Sequence, residues 1–181
     1  MHHSLGIYNS YRPLFLKYYI FQAKWTRLPL IGKLVRMVAD LYSRKGHGAY
    51  LLTLDEANEI VDNSDGIALA ECTCRTVFKN CEKSTNTELL LSLGNNVFAG
   101  ENHHEGEQIT KERAREILQR SHLDGLLHTI VKCGQDFYAI CNCCSCCCVP
   151  LRLKKEYGIG QALVRHPNIL EKVKVGQAAK V

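Results

Sequence analysis

Residues 141–148 read Cys-Asn-Cys-Cys-Ser-Cys-Cys-Cys, six thiols within eight positions, and Cys133 lies a short distance upstream. Cysteine packs well as a small apolar side chain, but a core needs one or two, and free thiols at this density are an oxidation hazard. Disulfides do not account for them either. A bridge needs Cα atoms about 4.4–6.8 Å apart with converging Cβ vectors, which adjacent cysteines seldom meet. The stretch reads as a nest of metal ligands.

Three more thiols, Cys72, Cys74 and Cys81, complete the ten, and all ten lie between positions 72 and 148. Soft sulfur donors select iron–sulfur centres, zinc or Cu(I) over hard cations. Iron–sulfur clusters are commonly held by four thiolates each. Ten thiols would therefore serve two four-thiolate sets with two left over. By position they divide as Cys72, Cys74 and Cys81 against Cys133, Cys141, Cys143, Cys144, Cys146, Cys147 and Cys148. The first group is one ligand short, so a thiolate of the nest, a histidine or an outside ligand has to complete it. Zinc is the rival. Structural zinc sites favour paired C-x₂₋₄-C knuckles well separated in the chain, and the second, separated knuckle is missing. A metal store or a copper site is the remaining alternative.

Basic residues flank the thiols: Arg75 and Lys79, then Lys132, then Arg152, Lys154 and Lys155. A tetrathiolate centre is anionic, and nearby cations raise its potential. Arg75, Lys132 and Arg152 are thus candidate neighbours of the cofactor, the alternative for each being an ordinary solvated charge. His122 and His128 are candidates for a missing ligand. His47, His103 and His104 read as turn or solvated residues. No phosphate loop, nucleophile elbow, zinc-protease helix or dinucleotide fingerprint is present, so any enzymatic reaction would run on the metal centre.

The chain has 181 residues, 46% hydrophobic and 23% charged, with a formal charge of +5. This is ordinary for one globular domain. The opening segment lacks a secretory pattern and no stretch reaches about 18 uninterrupted apolar residues. Clustered cysteines without such a pattern point to a cytoplasmic metal protein rather than a disulfide-bonded secreted one.

The elements that must position the thiols follow. Residues 7–27 mix aromatic and basic side chains, and Pro13 suits the first turn of a helix reaching about Lys24. A second helix is expected at about 30–43. Thr53 to Glu56 form a capping-box pattern, opening a helix that ends near Gly66. A short strand then delivers Cys72, Cys74 and Cys81, and residues 86–94 are expected as a short helix. The pattern recurs 57 residues later: Thr110 opens a helix, Gly125 ends it, and a hairpin turning at 133–136 runs into the nest. Helix, hairpin and cysteines at the hairpin exit suggest winged-helix-like units and a weak internal duplication of 53–81 and 110–148. Short helices are expected on either side of Gly158 and Gly160. The fold class expected is α+β, mainly helical, with a helical arm at 1–46, a cysteine-rich domain at 47–165 and a tail at 166–181.

With these residues in view, the chain resembles a group of prokaryotic ferredoxin-like iron–sulfur proteins. The resemblance is carried by Cys72-Thr73-Cys74-Arg75 with Cys81, by Gly125-Leu126-Leu127-His128, and by Ile140-Cys141-Asn142-Cys143-Cys144-Ser145-Cys146-Cys147-Cys148. It implies one or two iron–sulfur clusters, of 4Fe–4S type, and redox work in an anaerobic cytoplasm. Relatives often carry a two-cluster module of repeated CxxCxxC, absent here, and another cysteine where this chain reads Glu88 to Gly94. The function expected is electron transfer to or from a redox protein partner. Alternatives are an enzyme with an under-ligated cluster, a winged-helix-like redox or metal sensor, and a zinc-stabilised interaction module. The N-terminal helix could serve a homo-oligomer or an anionic membrane surface, whereas nucleic-acid binding is disfavoured by Glu112 and Glu116 diluting the basic helix face.

Overall fold

A computed structural model describes residues 10–91, 106–134 and 136–178. Its centre is a seven-stranded mixed sheet in the order β4-β2-β3-β6-β5-β1-β7. The strands are β1 (His47–Leu51), β2 (Ile67–Glu71), β3 (Asn86–Leu91), β4 (Glu107–Gln108), β5 (Leu127–Cys133), β6 (Asp136–Cys143) and β7 (Leu163–Arg165). All neighbours pair antiparallel except β1 and β7, which run parallel. The fold is therefore α+β, with more residues in helices than in strands, but the expectation of winged-helix-like units is overturned by the seven-stranded sheet. Both expected strand units join one continuous sheet through β3 and β6, so neither hairpin stands out as a wing.

Helices cover both faces. On one lie α3 (Leu54–Asp62), α5 (Lys111–Leu123) and α7 (Ile169–Ala178), which enclose the main core with Leu89, Leu91, Ile130 and Ile140. On the other lie α1 (Arg12–Ala23), α2 (Gly32–Lys45) and α6 (Val149–Tyr157), while the short α4 (Thr73–Phe78) follows β2. The two faces follow from strand periodicity, since successive side chains point to opposite sides. Ile140 faces the first core, and its neighbours Ala139 and Cys141 face the second group of helices.

Local signals place several elements. The capping box at Thr53 forms in full: Thr53 Oγ1 accepts from the Glu56 amide at 3.1 Å, and the Thr53 amide donates to Glu56 Oε2 at 2.8 Å. Thr110 repeats the first half of this arrangement at α5, accepting from the Arg113 amide. Pro13 and Pro150 stand in the first turns of α1 and α6, where a missing amide hydrogen does no harm. Gly134 sits at φ 63° in the β5–β6 turn, a conformation that costs glycine little.

Two local expectations are corrected, and one strand is added. Residues 86–91 form the interior strand β3, between β2 and β6, not a helix. Every residue from Thr87 to Leu91 is buried there, and a short apolar run gives no periodicity to separate a buried strand from a buried helix. His47 opens strand β1 rather than closing a turn. The segment between α6 and α7 holds β7, which completes the sheet beside β1. His103 and His104 lie outside the described residues, as does the tail beyond 178.

Candidate metal centre

The sheet and two helix starts bring the thiols together, but not along the division read from sequence. Cys81, Cys144, Cys146 and Cys147 place their sulfur atoms within 4.8 Å of one another. Cys81 Sγ lies 3.8 Å from Cys144 Sγ and 3.9 Å from Cys147 Sγ. This outer group draws one ligand from the loop after α4 and three from the turn between β6 and α6. Cys144 and Cys147 are buried, and Cys81 and Cys146 are half-buried.

A left-handed residue makes the meeting possible. Lys79, at φ 49°, caps α4, and it is the only non-glycine residue at positive φ among those described. The chain turns there so that Asn80 faces the turn carrying the nest. Its amide donates to Cys147 Sγ at 3.3 Å and its side chain donates to the Cys146 carbonyl at 2.9 Å. Backbone N–H···S bonds of this kind favour thiolates and tune metal–sulfur potentials.

The remaining five thiols of the region form an inner group. Cys141 and Cys143 project from the same face of β6, two residues apart. Cys72 caps α4 and Cys148 caps α6. Cys143, Cys148 and Cys141 pack in one buried cluster, and Thr129 Oγ1 lies 3.4 Å from Cys143 Sγ. Cys143 and Cys148 hydrogen-bond to each other, and Cys74 interacts with Cys72, Cys143 and Cys148. The inner and outer groups are joined twice through the chain, at Cys143–Cys144 and at Cys147–Cys148.

Arg75 stands between them. It is 2% exposed, and Nη1 donates to the Asn142 carbonyl at 2.9 Å while Nη2 donates to Thr87 Oγ1. It also hydrogen-bonds Cys144 and feels the charges of Cys72 and Cys143. Its Nε has no hydrogen-bond partner, and among the described residues it pairs with no carboxylate. A buried guanidinium needs a counter-charge. Among the described residues the groups nearest to supply it are the sulfurs of Cys72, Cys143 and Cys144, of which Cys144 is the one that ionises readily.

The titration behaviour follows from this environment. Burial resists ionisation of Cys144, but donors from Cys146, the Cys147 amide and Arg75 outweigh it and bring the thiol down to about 7. Burial and the Glu88 charge push Cys72 up to about 12. Burial likewise raises Cys74, with the Cys72 charge adding to it, and raises Cys141, with Glu88 adding. In Cys143 the hydrogen bond to Cys148 comes first and burial second, both upward. Thiols that resist ionising beside one another are the donors that a bound cation converts to thiolates, with release of protons.

Other candidate residues are placed elsewhere. Cys133 ends β5 opposite Asp136, with about 20 Å of strand between it and the nest end of the hairpin. It packs among Ala68, Ala70, Leu90, Tyr138 and Ala139 as a small apolar side chain. Lys132 donates to the Arg44 carbonyl at 2.7 Å. Arg152 stacks over the Phe78 ring at 4.9 Å and reaches Glu156 at 3.2 Å. Since Phe78 packs against the outer group, Arg152 is one side chain removed from sulfur. His122 and His128 stack on each other, and His128 Nδ1 meets Asn142 Oδ1 at 2.6 Å; neither belongs to the four-thiol group.

Two contributors escaped the sequence reading. Asn142 braces the site by donating to the Thr87 carbonyl at 2.7 Å, and its position inside the nest was the one available signal. The buried pair Arg12–Glu88, at 2.8 Å, links α1 to β3 beside Cys141, and the proline-led helix start concealed it. No family model, no curated protein and no solved structure matches this chain.

Proposed function

We propose that this chain is an iron–sulfur protein that passes electrons to or from a redox partner, with the outer group as its point of exchange. The observation that carries this reading is Arg75, a buried guanidinium that hydrogen-bonds Cys144 and, among the described residues, pairs with no carboxylate. The donor set fits: four sulfurs, no histidine or carboxylate in the group, and a surrounding of apolar side chains. A structural ion needs four thiolates, whereas the region gathers nine. The inner five would hold a second centre or a bridging part of the same one, and the half-exposed Cys81 and Cys146 leave the outer group near solvent, where a partner can approach.

One observation favours a second reading. Sulfur separations of 3.8 and 3.9 Å match the edge of a tetrahedron around one ion with metal–sulfur bonds of about 2.3 Å. A single tetrathiolate ion, zinc or iron, suits these two edges, and all four sulfurs lie within 4.8 Å of one another.

Iron, zinc and acid-labile sulfide per chain, measured on anaerobically purified protein with EPR before and after dithionite, decide between them. Sulfide in proportion to iron with a reversible signal supports the first reading. Zinc without sulfide refutes it. Cys147→Ser should strip metal from the outer group, and Cys133→Ser should leave the metal content unchanged.

A further inference from the structure

The exposed apolar surface of this molecule is concentrated in one place. Among the described residues, every exposed large apolar side chain except Leu123 and Leu127 lies between Tyr11 and Tyr42. Helix α1 is apolar on two sides. Leu16, Ile20 and Ala23 face inward, while Leu14, Tyr18, Phe21 and Trp25 recur at helical spacing on the outside. Helix α2 buries only Gly32 and Ser43, and its apolar stripe of Leu34, Met37, Val38 and Leu41 faces away from the core, with Leu30 just before the helix 93% exposed. An amphipathic helix normally turns its apolar face to the core; this one does the reverse.

Charge surrounds the stripe. Lys17, Lys24, Arg27, Lys33, Arg44 and Lys45 are exposed, and the one acid from 10 to 45, Asp40, is half-buried and accepts from the Gln161 amide at 2.7 Å. Between the two helices opens an apolar cavity of about 610 Å³. Tyr18, Trp25, Leu34, Val38 and Tyr42 belong both to the exposed surface and to its lining, so the cavity opens onto the stripe. Pro150 and Leu153 of α6 contribute to its wall.

We propose that α1 and α2 form a docking surface for an anionic lipid bilayer, with acyl chains entering the cavity between them. Large exposed apolar patches mark interaction sites. Aromatic side chains beside lysine and arginine are the composition of helices that lie in a membrane interface. The charge selects the occupant. A second copy of the chain would set six exposed cations against six with no carboxylate to meet them, whereas an anionic headgroup layer complements all six at once. No helix among the described residues is long and apolar enough to cross a membrane, so the contact is one of lying on the surface. The proposal does not depend on the metal reading.

Trp25 is the only tryptophan in the chain, so its emission reports insertion without a label. The full metal-loaded protein is titrated with vesicles of phosphatidylcholine alone, and with vesicles containing about a third phosphatidylglycerol, at low and high salt. The expected result is a blue shift and co-sedimentation with the anionic vesicles only, reversed by salt. Replacing Lys17, Lys24 and Lys33 together by Gln should weaken binding roughly a hundredfold, at about fivefold per charge. Met37→Asp with Leu41→Asp should abolish the shift with metal content unchanged. No binding to anionic vesicles at low salt overturns the proposal. So does equal binding to both vesicle types. Sedimentation equilibrium showing a dimer that the Met37→Asp, Leu41→Asp variant dissolves would assign the surface to a second copy and overturn it as well.

Discussion

Replacing Arg75 by Gln tests the electrostatic logic of the candidate metal centre most directly. The guanidinium hydrogen-bonds Cys144 and is buried with neutral partners on its other side. At an effective dielectric constant near 20, unit charges about 4 Å apart attract by about 4 kcal/mol. Glutamine keeps a hydrogen-bond donor and removes the charge, so roughly half of that attraction should be lost, worth about 1.5 pKa units. Cys144, held at about 7 in the native protein, should then titrate in the ordinary thiol range near 8.5 or above. The assay is the pH dependence of iodoacetamide alkylation in metal-free protein, read at Cys144 by mass spectrometry. In metal-loaded protein the same loss should lower the midpoint potential by on the order of 100 mV. Arg75→Lys keeps the charge but not the planar fork, and should fall between the two. A Cys144 pKa unchanged in the glutamine variant would refute the argument that Arg75 is the counter-charge of the sulfur groups.

Two further outcomes are expected. Arg12→Met leaves Glu88, 1% exposed, without its cation, and should lower the unfolding free energy by about 3–5 kcal/mol in urea melts; a loss under about 1 kcal/mol would show that the pair is not a buried ion pair in solution. His47 is held down to about 4 by burial and by the charges of Arg12 and Lys132. Its folded pKa lies below the unfolded value, so its contribution is full above about 6.5 and is lost as pH falls from there towards 4, by at most about 3 kcal/mol. NMR titration of the imidazole should show neutral ring shifts down to about pH 4, and a midpoint near 6.5 would contradict the placement.

What could be read from the sequence was local. The capping box at Thr53, the proline-led start of α1 and the glycine-turned hairpin at 134 each depend on residues a few positions apart, and each is found where expected. The concentration of thiols at 141–148 was equally plain, but only Cys144, Cys146 and Cys147 of its six join the four-thiol group, while Cys141, Cys143 and Cys148 pack in a buried cluster. What could not be read was nonlocal. Cys81 leaves its sequence neighbours Cys72 and Cys74 for the outer group because Lys79 turns the chain left-handed, a conformation its side chain does not announce. Cys133 leaves the nest because β5 runs antiparallel to β6, so that proximity in sequence becomes distance along the hairpin. Residues 86–91 read as a helix because burial on both faces erases the alternation that marks a strand. The winged-helix reading failed for a related reason: hairpins look the same in sequence whether they end a motif or continue into a sheet.

The span between Cys81 and Cys144, 63 positions apart, has a consequence for how the molecule assembles. Only the pairing of β3 with β6 and of β6 with β5 carries the turn at 144–147 to the loop after α4. A chain that has not completed its sheet therefore offers at most three of the four outer sulfurs. Closing a loop of this length in the unfolded ensemble carries an entropic term of about 4 kcal/mol, so a metal that binds all four thiolates acts as a clasp, favouring the finished sheet over every partial one. An ion held by all four thiolates would therefore report a finished sheet, because no partial one brings Cys81 to the turn at 144–147.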